Sequence, residues 1–540
     1  MLCASAHAQA SSDQPAVTFK SRSELVLVPV IVTDRRGGHV AGLKKEDFSL
    51  RENGIEQKIA VFDEVVANND RIVGLKRAES VYTNTVGTNS AKRLVILALD
   101  AINTPINDQI RARKQMLKFL SEGIDRDALV SVVVLTPAGV KVVHDFTTDT
   151  SVLIAAVSKA RGKSAFSEQT PDAAAADDSA LQSESEQLSA LTDTTNQSAV
   201  AGQKQVAIRW TYDAFTQIAR AYAGVPGRKS LIWVTAGFPF SFADNNNRIS
   251  AIGGNGDVSD NLDAYERMWQ ALTEANFAVY PVDARGFVNT AVMPASAGAR
   301  SAGSGKSAPP SIALTQMTAQ NASIDTFRDL AEMTGGKAFF NTNDLARSFR
   351  QASNDSATYY VLGFYLPKVA QPGWHSLKVK IDRSGTQVRA RSGYLVAAKS
   401  RGANVADDVR NAIVSPFDST VLPLEVRWST RDRAPEEVKT TASFKVQLTP
   451  AAISVDETDN NHISFDVIAV AKNPDGSIAD TLERPFDAHI KAPNLAKFQQ
   501  AGMFYEGKLQ LPSGKYLMRV VVEDRLTGKV GSVSAPLIVK

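Results

Sequence analysis

Cysteine is almost absent: one residue of 540, Cys3, carries a thiol. No intrachain disulfide can form, and Cys-rich zinc sites are excluded. Histidine is nearly as scarce. His7, His39, His144, His375, His462 and His489 are scattered with no two at metal-ligand spacing, which argues against a zinc hydrolase. Excess charge of one sign is also missing, with 60 Lys+Arg against 57 Asp+Glu. Phosphate-backbone binding needs a concentrated positive face, so nucleic acid is not an expected partner. No apolar run reaches about 18 residues, so no transmembrane segment is expected. Gly-x-Ser-x-Gly does not occur, which disfavours an α/β-hydrolase.

What is present is enough apolar content, 44%, to build cores. The length calls for about two to four of them. The chain opens MLCASAHAQA, where Ala6-His7-Ala8 before Gln9 has the small-x-small pattern of a signal-peptidase site. Residues 1–16 are therefore read as a signal-peptide remnant of an exported protein (periplasm, cell envelope or extracellular). The competing reading is a disordered Ala-rich terminus.

Residues 17–68 read as an N-terminal β unit. LVLVPVIVTD (25–34) is a continuous apolar strand in which Pro29 predicts an edge or a bulge, and Asn53-Gly54 is a strong hairpin signal. Residues 69–91 read as a polar connector. From Lys92 the rhythm changes. RLVILALD (93–100), ALVSVVVLT (128–136), KSLIWVTAG (229–237) and NFAVYPVD (276–283) are strand-like. Helix-like stretches run over 107–124, 205–222, 262–274 and 323–336, with Asn107 or Asp108 as cap of the first and Ile110, Met116, Leu117, Leu120 and Ile124 on one face. Such alternation predicts parallel strands joined by crossovers, over a domain spanning 92–350.

Segments 162–203 and 286–324 are low in complexity and read as long loops. Residues 357–397 read as a β meander that pairs with 17–68, because each stretch alone has too few strands for a stable sheet. Residues 400–415 read as a linker and 416–540 as a C-terminal β-sandwich.

In a sheet of this kind ligands gather at the carboxyl ends of the strands. Asp100, Thr235 and Asp283 each end a strand there, and Asn103 and Thr104 follow the first. Phe238-Pro239-Phe240 follows the Lys229 strand at the same rim. These side chains, Asp100, Asn103, Thr104, Thr235, Phe238, Phe240 and Asp283, form the expected partner-binding rim. The residue-level alternative is that Asp100 only caps the turn after its strand.

Several blocks carry a family resemblance: LVPVIVTDRRGGHVAGLKKEDFSLRENG (27–54), LALDAINTP (97–105), GVPGRKSLIWVTAGFPF (224–240), ANFAVYPVDARG (275–286), LAEMTGGKAFFN (330–341), YYVLGFY (359–365) and RARSGY (389–394). In this order they resemble the VWFA-related proteins catalogued in acidobacteria, a bacterial branch of von Willebrand factor A (VWA)-like domains. The resemblance covers about residues 20–397. It implies export and an α/β fold: a doubly wound, mostly parallel, VWA-like (Rossmann-like) sheet, flanked here by the β-rich N-terminal unit and the C-terminal β-sandwich.

VWA domains of the ordinary kind hold a divalent cation through Asp-x-Ser-x-Ser, a threonine from a second loop and a later aspartate. Here Asp100 matches the first position, Ile102 replaces a serine, Thr104 replaces the second serine and Ala236 replaces the later aspartate. The implied adhesion site is degenerate. No resident cofactor is expected, and weak Mg²⁺ or Ca²⁺ binding would fall to Asp100 and Thr104.

Rival motifs are incomplete. A haloacid-dehalogenase phosphatase needs a second acid where Ile102 stands, although Lys229 and Thr235 superficially fit its later motifs. GSGKS (303–307) has Arg300 where a P-loop requires glycine. DETDNN (456–461) lacks the EF-hand alternation and reads as a solvated hairpin tip. The expectation is an exported, non-enzymatic protein-binding protein with an unknown partner. The alternatives are a cell-envelope structural or assembly module acting through its β domains, and a Mg²⁺-dependent hydrolase.

Overall fold

The computed structural model describes residues 25–66, 81–85, 93–125, 128–159, 185–237, 240–241, 250–251, 259–287, 312–366, 371–396, 403–430, 439–450 and 452–539. The expected signal remnant, Phe238 and the GSGKS segment lie outside them.

Every residue of the strand Arg93–Asp100 is buried, because helices cover both faces of its sheet. A strand in that position needs no polar side, which is why it reads as an unbroken apolar run. The sheet runs Phe277–Asp283, Lys229–Thr235, Arg93–Asp100, Ala128–Thr136, Gly139–Thr147 from edge to edge. Its first three junctions are parallel and its last is antiparallel. Ile96, Ala98, Leu231 and Trp233 pack on one face against Tyr212, Phe215 and Trp269. Val95, Leu97, Val234 and Tyr280 pack on the other against Met116, Phe119 and Phe349. The strict alternation of partners follows from the two-residue period of a strand.

The fold class differs from the expectation. Among the described residues there are six sheets, and five of them are antiparallel at every junction. Among the described strands parallel pairing occurs at three junctions of one sheet, with one further parallel bridge between Val282 and Phe339, so the protein is β-rich and is not built as a doubly wound, mostly parallel Rossmann-like fold. Short turns such as Asn53-Gly54 and Thr527-Gly528 return the chain antiparallel, and strands far apart in the chain, such as Leu25–Asp34 with Thr358–Tyr365 and Thr440–Leu448 with Met503–Leu511, also pair antiparallel. A long connection permits either direction, so local strand signals do not set the fold class.

The strand Leu25–Asp34 lies between Thr358–Tyr365 and Thr386–Ala390, with Val61–Val66 beyond. A second sheet orders Gly393–Val396, Gly373–Ile381, Phe48–Glu52 and Ile55–Gln57. Val28, Val30, Leu50, Tyr360 and Phe364 form the core between the two sheets. Three of the strands of 357–397 thus pair with N-terminal strands, and Gly393–Val396 pairs with Gly373–Ile381; no two consecutive strands of the segment are neighbours, so it is not a meander. Pro29 sits in an interior strand, but only Val361 runs opposite it, since pairing on the other side starts at Val30. Locally the proline therefore meets one neighbour and breaks no ladder on the second side.

Two further four-stranded sheets carry the C-terminal region. Thr440–Leu448 alternates buried and half-buried along its whole length. Its inward residues meet Phe465, Val467, Met518 and Val520 of the facing sheet. The edge of the first sheet is Val81–Thr83, paired with Leu424–Thr430. The segment read as a polar connector therefore donates a strand, too short to show periodicity.

Helices also exceed the expectation. Ser185–Ala221 and Ile312–Thr334 extend into both low-complexity segments, so 185–203 and 312–324 are helical. Alanine, glutamine and leucine favour helix even where they bury little. Ala403–Val414, expected as linker, is a helix as well. The helix Ile106–Ser121 follows Pro105 without a side-chain cap, so neither Asn107 nor Asp108 caps it. Its buried stripe is Gln109, Ala112, Met116, Phe119 and Leu120. Ile110 stays 51% exposed, because Gln109 turns inward to donate to the Thr104 carbonyl at 2.8 Å.

Candidate functional site

Register sets the corner at the carboxyl end of the parallel strands. Ala98 lies opposite Trp233, and Asp283 opposite Thr235. Side chains two residues apart on a strand share a face. Asp100 and Trp233 therefore meet across adjacent strands.

Asp100 is fully buried. Its Oδ1 accepts the backbone N–H groups of Ile102 and Asn103, each at 2.9 Å. Its Oδ2 accepts Asn103 Nδ2 at 2.8 Å and the Trp233 indole N–H at 3.1 Å. Burial pushes this carboxyl above the usual carboxylate range, and the hydrogen bonds from Asn103 and Ile102 pull it back. Asp100 thus caps the turn that follows its strand.

Asn103 is half-buried and also donates to Thr211 Oγ1 at 3.0 Å, on the long helix Ser185–Ala221. Thr104 Oγ1 accepts the Ala236 N–H at 3.0 Å, and Thr235 Oγ1 donates to the Gly237 carbonyl at 3.0 Å. Thr104 and Thr235 are both buried. Asp283 is buried too, and Arg285 grips it: Nε donates to Oδ1 at 2.9 Å and Nη2 to Oδ2 at 2.7 Å. Beside this pair, burial raises the Asp108 carboxyl; Arg111 opposes the rise and Asp283 adds to it.

The expected rim residues therefore come together in part. Asp100, Asn103, Thr104 and Thr235 form one network, and Asp283 pairs separately with Arg285. Of these, Asn103 alone is not buried, so the other four side chains cannot touch a partner directly. Phe240 begins the short strand Phe240–Ser241, paired with Ser250–Ala251. A hard cation needs free oxygen lone pairs. Four N–H donors converge on the Asp100 carboxylate, and Thr104 Oγ1 accepts one more and keeps a second lone pair, so weak Mg²⁺ or Ca²⁺ binding at this pair would have to displace hydrogen bonds of Asp100. Among the described residues no group of three or more His, Cys, Asp or Glu side chains is placed to hold a metal.

Two contributors escape a reading of the sequence for acids and hydroxyls. Trp233 reads as core packing, and its indole N–H becomes relevant only through the register with the Asp100 strand. Arg285 stands two residues after Asp283 in a quoted motif, and that i, i+2 spacing is the available signal. Elsewhere, the DETDNN segment forms a turn closed by reciprocal backbone bonds between Asp456 and His462.

No protein-family model matches the chain, and no curated protein matches it. Among solved structures, one described as a "putative beta-galactosidase" from Bacteroides fragilis aligns at 14% identity over 34% of this chain and 26% of that chain, with a TM-score of 0.16. A likeness that weak carries no argument about fold or activity, and the match spans about a quarter of that chain's length.

Proposed function

We propose that the chain is an exported, non-enzymatic protein that binds a protein partner through the outer surface of the carboxyl-end rim, with Asp100 as an internal fastener. The observation that carries this reading is the engagement of the Asp100 carboxylate by four donors. A nucleophile or general base needs a lone pair that reaches the substrate, and this carboxylate is fully buried. Contact falls instead to exposed apolar side chains at the same end: Ile106 and Ile110 on one helix face, and Phe287. Kinship with the VWFA-related proteins, resting on the order of sequence blocks, and export, resting on Ala6-His7-Ala8, belong to the same proposal. Among the described residues no helix is long and apolar enough to cross a membrane.

A second reading, assembly through the β domains, is favoured by one observation. Leu517 and Ile538 are exposed on neighbouring strands of the C-terminal sheet, and Lys529–Val539 forms its outer edge. Crosslinking of the full chain in an envelope preparation separates the two. Loss of a specific complex in Ile106→Asp/Phe287→Asp supports the rim. Loss only in Leu517→Asp/Ile538→Asp transfers binding to the β domains. Turnover of a generic phosphoester that vanishes in Asp100→Asn would overturn the non-enzymatic reading.

A further inference from the structure

Charge is balanced over the chain but not over the parallel sheet. One face of that sheet is covered by the helices Ile106–Ser121, Thr150–Lys159 and Leu345–Asn354, which turn Met116, Leu153 and Phe349 inward. Together they carry seven lysines and arginines and one acid, Asp108. On the opposite face the helices Ser259–Glu274 and Ile312–Thr334 turn Trp269 and Phe327 inward. Their described side chains include six acids and two bases, Arg267 and Arg328. The third helix of that face, Ser185–Ala221, has three bases and one acid among its described side chains and is not part of the acidic area.

Much of the charge on each layer faces solvent unpaired. In the basic layer Arg111 pairs with Asp108, and Lys118 and Arg350 pair with Glu122. Lys114, Lys159 and Arg347 are exposed and, among the described residues, form no ion pair. In the acidic layer Arg328 pairs with Asp325, whereas Asp263, Glu266 and Glu332 are exposed and, among the described residues, form none. Burial raises the Asp329 carboxyl, and Glu332 and Asp325 add to the rise while Arg328 opposes it. Folding gains little from such exposed charges, and crowding one sign on one layer adds self-repulsion. Each layer is relieved when it meets a surface of the other sign, and complementary potentials steer two such surfaces together. The area is also adequate. The 16-residue helix Ile106–Ser121 is about 24 Å long. Three helices about 10 Å apart then present about 700 Å², close to the roughly 800 Å² that each partner of a standard interface buries.

We propose that the basic helix layer of one chain docks on the acidic helices Ser259–Glu274 and Ile312–Thr334 of a second copy. The occupant is a second copy because both halves of the complementary pair are built into this one sequence. The two surfaces differ, so the contact is heterologous: each added copy leaves one layer of each sign open, and the association extends as a row or a ring instead of stopping at a two-fold dimer. Long-range attraction between exposed charges makes it salt-sensitive. The Asp100 corner, Ile106 and Phe287 take no part in the charge contrast, so the contact stands whether or not the rim binds a protein.

Sedimentation velocity of the full chain tests this in about 0.01 M and about 1 M sodium chloride, where the screening length falls from about 30 to about 3 Å. Wild type is expected to form species that grow with protein concentration at low salt and to run as a monomer at high salt. Lys114→Glu/Lys159→Glu/Arg347→Glu cancels the excess on the basic layer, and Glu266→Lys/Glu332→Lys cancels it on the acidic layer. All five positions are exposed, so both variants should keep the wild-type circular dichroism. Each alone should self-associate at least tenfold more weakly than wild type. Mixed in equal amounts they restore one contact between intact layers, and a heterodimer that grows no further is expected. A wild type that stays monomeric at low salt overturns the proposal; if it then co-sediments with phosphatidylglycerol vesicles, the basic layer belongs to an anionic lipid surface instead. Self-association of either variant equal to that of wild type also overturns it, as does a mixture that forms no heterodimer.

Discussion

Asp100→Asn changes one heavy atom at the corner, and its cost follows from donor counting. In the wild type two carboxylate oxygens accept four N–H groups: Ile102 and Asn103 backbone on Oδ1, Asn103 Nδ2 and Trp233 Nε1 on Oδ2. An asparagine offers one acceptor oxygen and one NH₂, which only donates. Whichever way the amide is turned, two donors face another donor. Each buried donor left unpaired costs about 1–3 kcal/mol. The gross loss is therefore about 2–6 kcal/mol, offset in part because a neutral amide is easier to bury than an ionised carboxylate. A net destabilisation of about 3 kcal/mol is expected from these terms.

The chain has several cores, so a single unfolding midpoint is not a clean measure. Hydrogen exchange along Arg93–Asp100 and the fluorescence of Trp233 during urea denaturation report on the corner itself. Both should show earlier opening in Asp100→Asn, while Thr440–Leu448 is unchanged. If Asp100 were kept for chemistry, removing its charge would leave the strand as stable as before or more so. Protection of Arg93–Asp100 within about 0.5 kcal/mol of wild type would thus refute the fastener argument, since two orphaned donors cost more than that.

Lys229 is buried, donates to the Val225 and Gly227 carbonyls at 2.6 and 3.1 Å, and is pushed by burial from 10.5 to about 7. Between those values the unfolded chain holds the proton and the folded chain releases it, so stability should rise with pH across the window, by at most about 5 kcal/mol. The two carbonyl acceptors reduce that figure, and Lys229→Met should flatten the rise in urea midpoint between pH 7 and 10. Gly336 brings its backbone against the Phe277–Asp283 strand, where a Cβ would fall 1.9 Å from the Val279 carbonyl oxygen. Gly336→Ala should cost more than about 3 kcal/mol, read as lost soluble yield or an early-melting near-ultraviolet circular dichroism signal.

Much of the element map was readable because strand and helix periods are local properties. RLVILALD, read as a strand over 93–100, is one with the same bounds. The Asn53-Gly54 turn joins Phe48–Glu52 to Ile55–Gln57, and Asn53 takes the positive φ that such turns need. What failed depended on pairing between distant segments. Three residues, Val81–Thr83, carry no period and become a strand only beside Leu424–Thr430. The fold class failed for the same reason: a few crossover-linked strands stand for the whole, whereas many other strands close antiparallel sheets with distant partners, as Leu25–Asp34 does with Thr358–Tyr365. At the corner, Asp100 was legible as a strand-end acid, but what surrounds it was not. Periodicity puts Ile110 on one helical face with Met116 and Leu120 and leaves Gln109 aside, yet the glutamine points inward and donates to the Thr104 carbonyl.

The corner shows a substitution of one kind of positive partner for another. At a strand-end aspartate a cation would supply full positive charge and accept the oxygen lone pairs directly. Here two backbone N–H groups, an amide and an indole supply partial charge through hydrogens, and the Ala236 N–H does the same for Thr104. The exchange is self-consistent, so restoring a missing acid should not restore a metal site. Ala236 is 7% exposed, and Ala236→Asp would place a second carboxylate near Asp100 without freeing either Asp100 oxygen. An unpaired buried charge costs about 3–5 kcal/mol, so the variant should melt early, and millimolar Mg²⁺ should not rescue it. Saturable Mg²⁺ stabilisation of Ala236→Asp, absent in Asp100→Ala/Ala236→Asp, would show that the four donors give way to a cation and that the engagement of Asp100 is no barrier to metal.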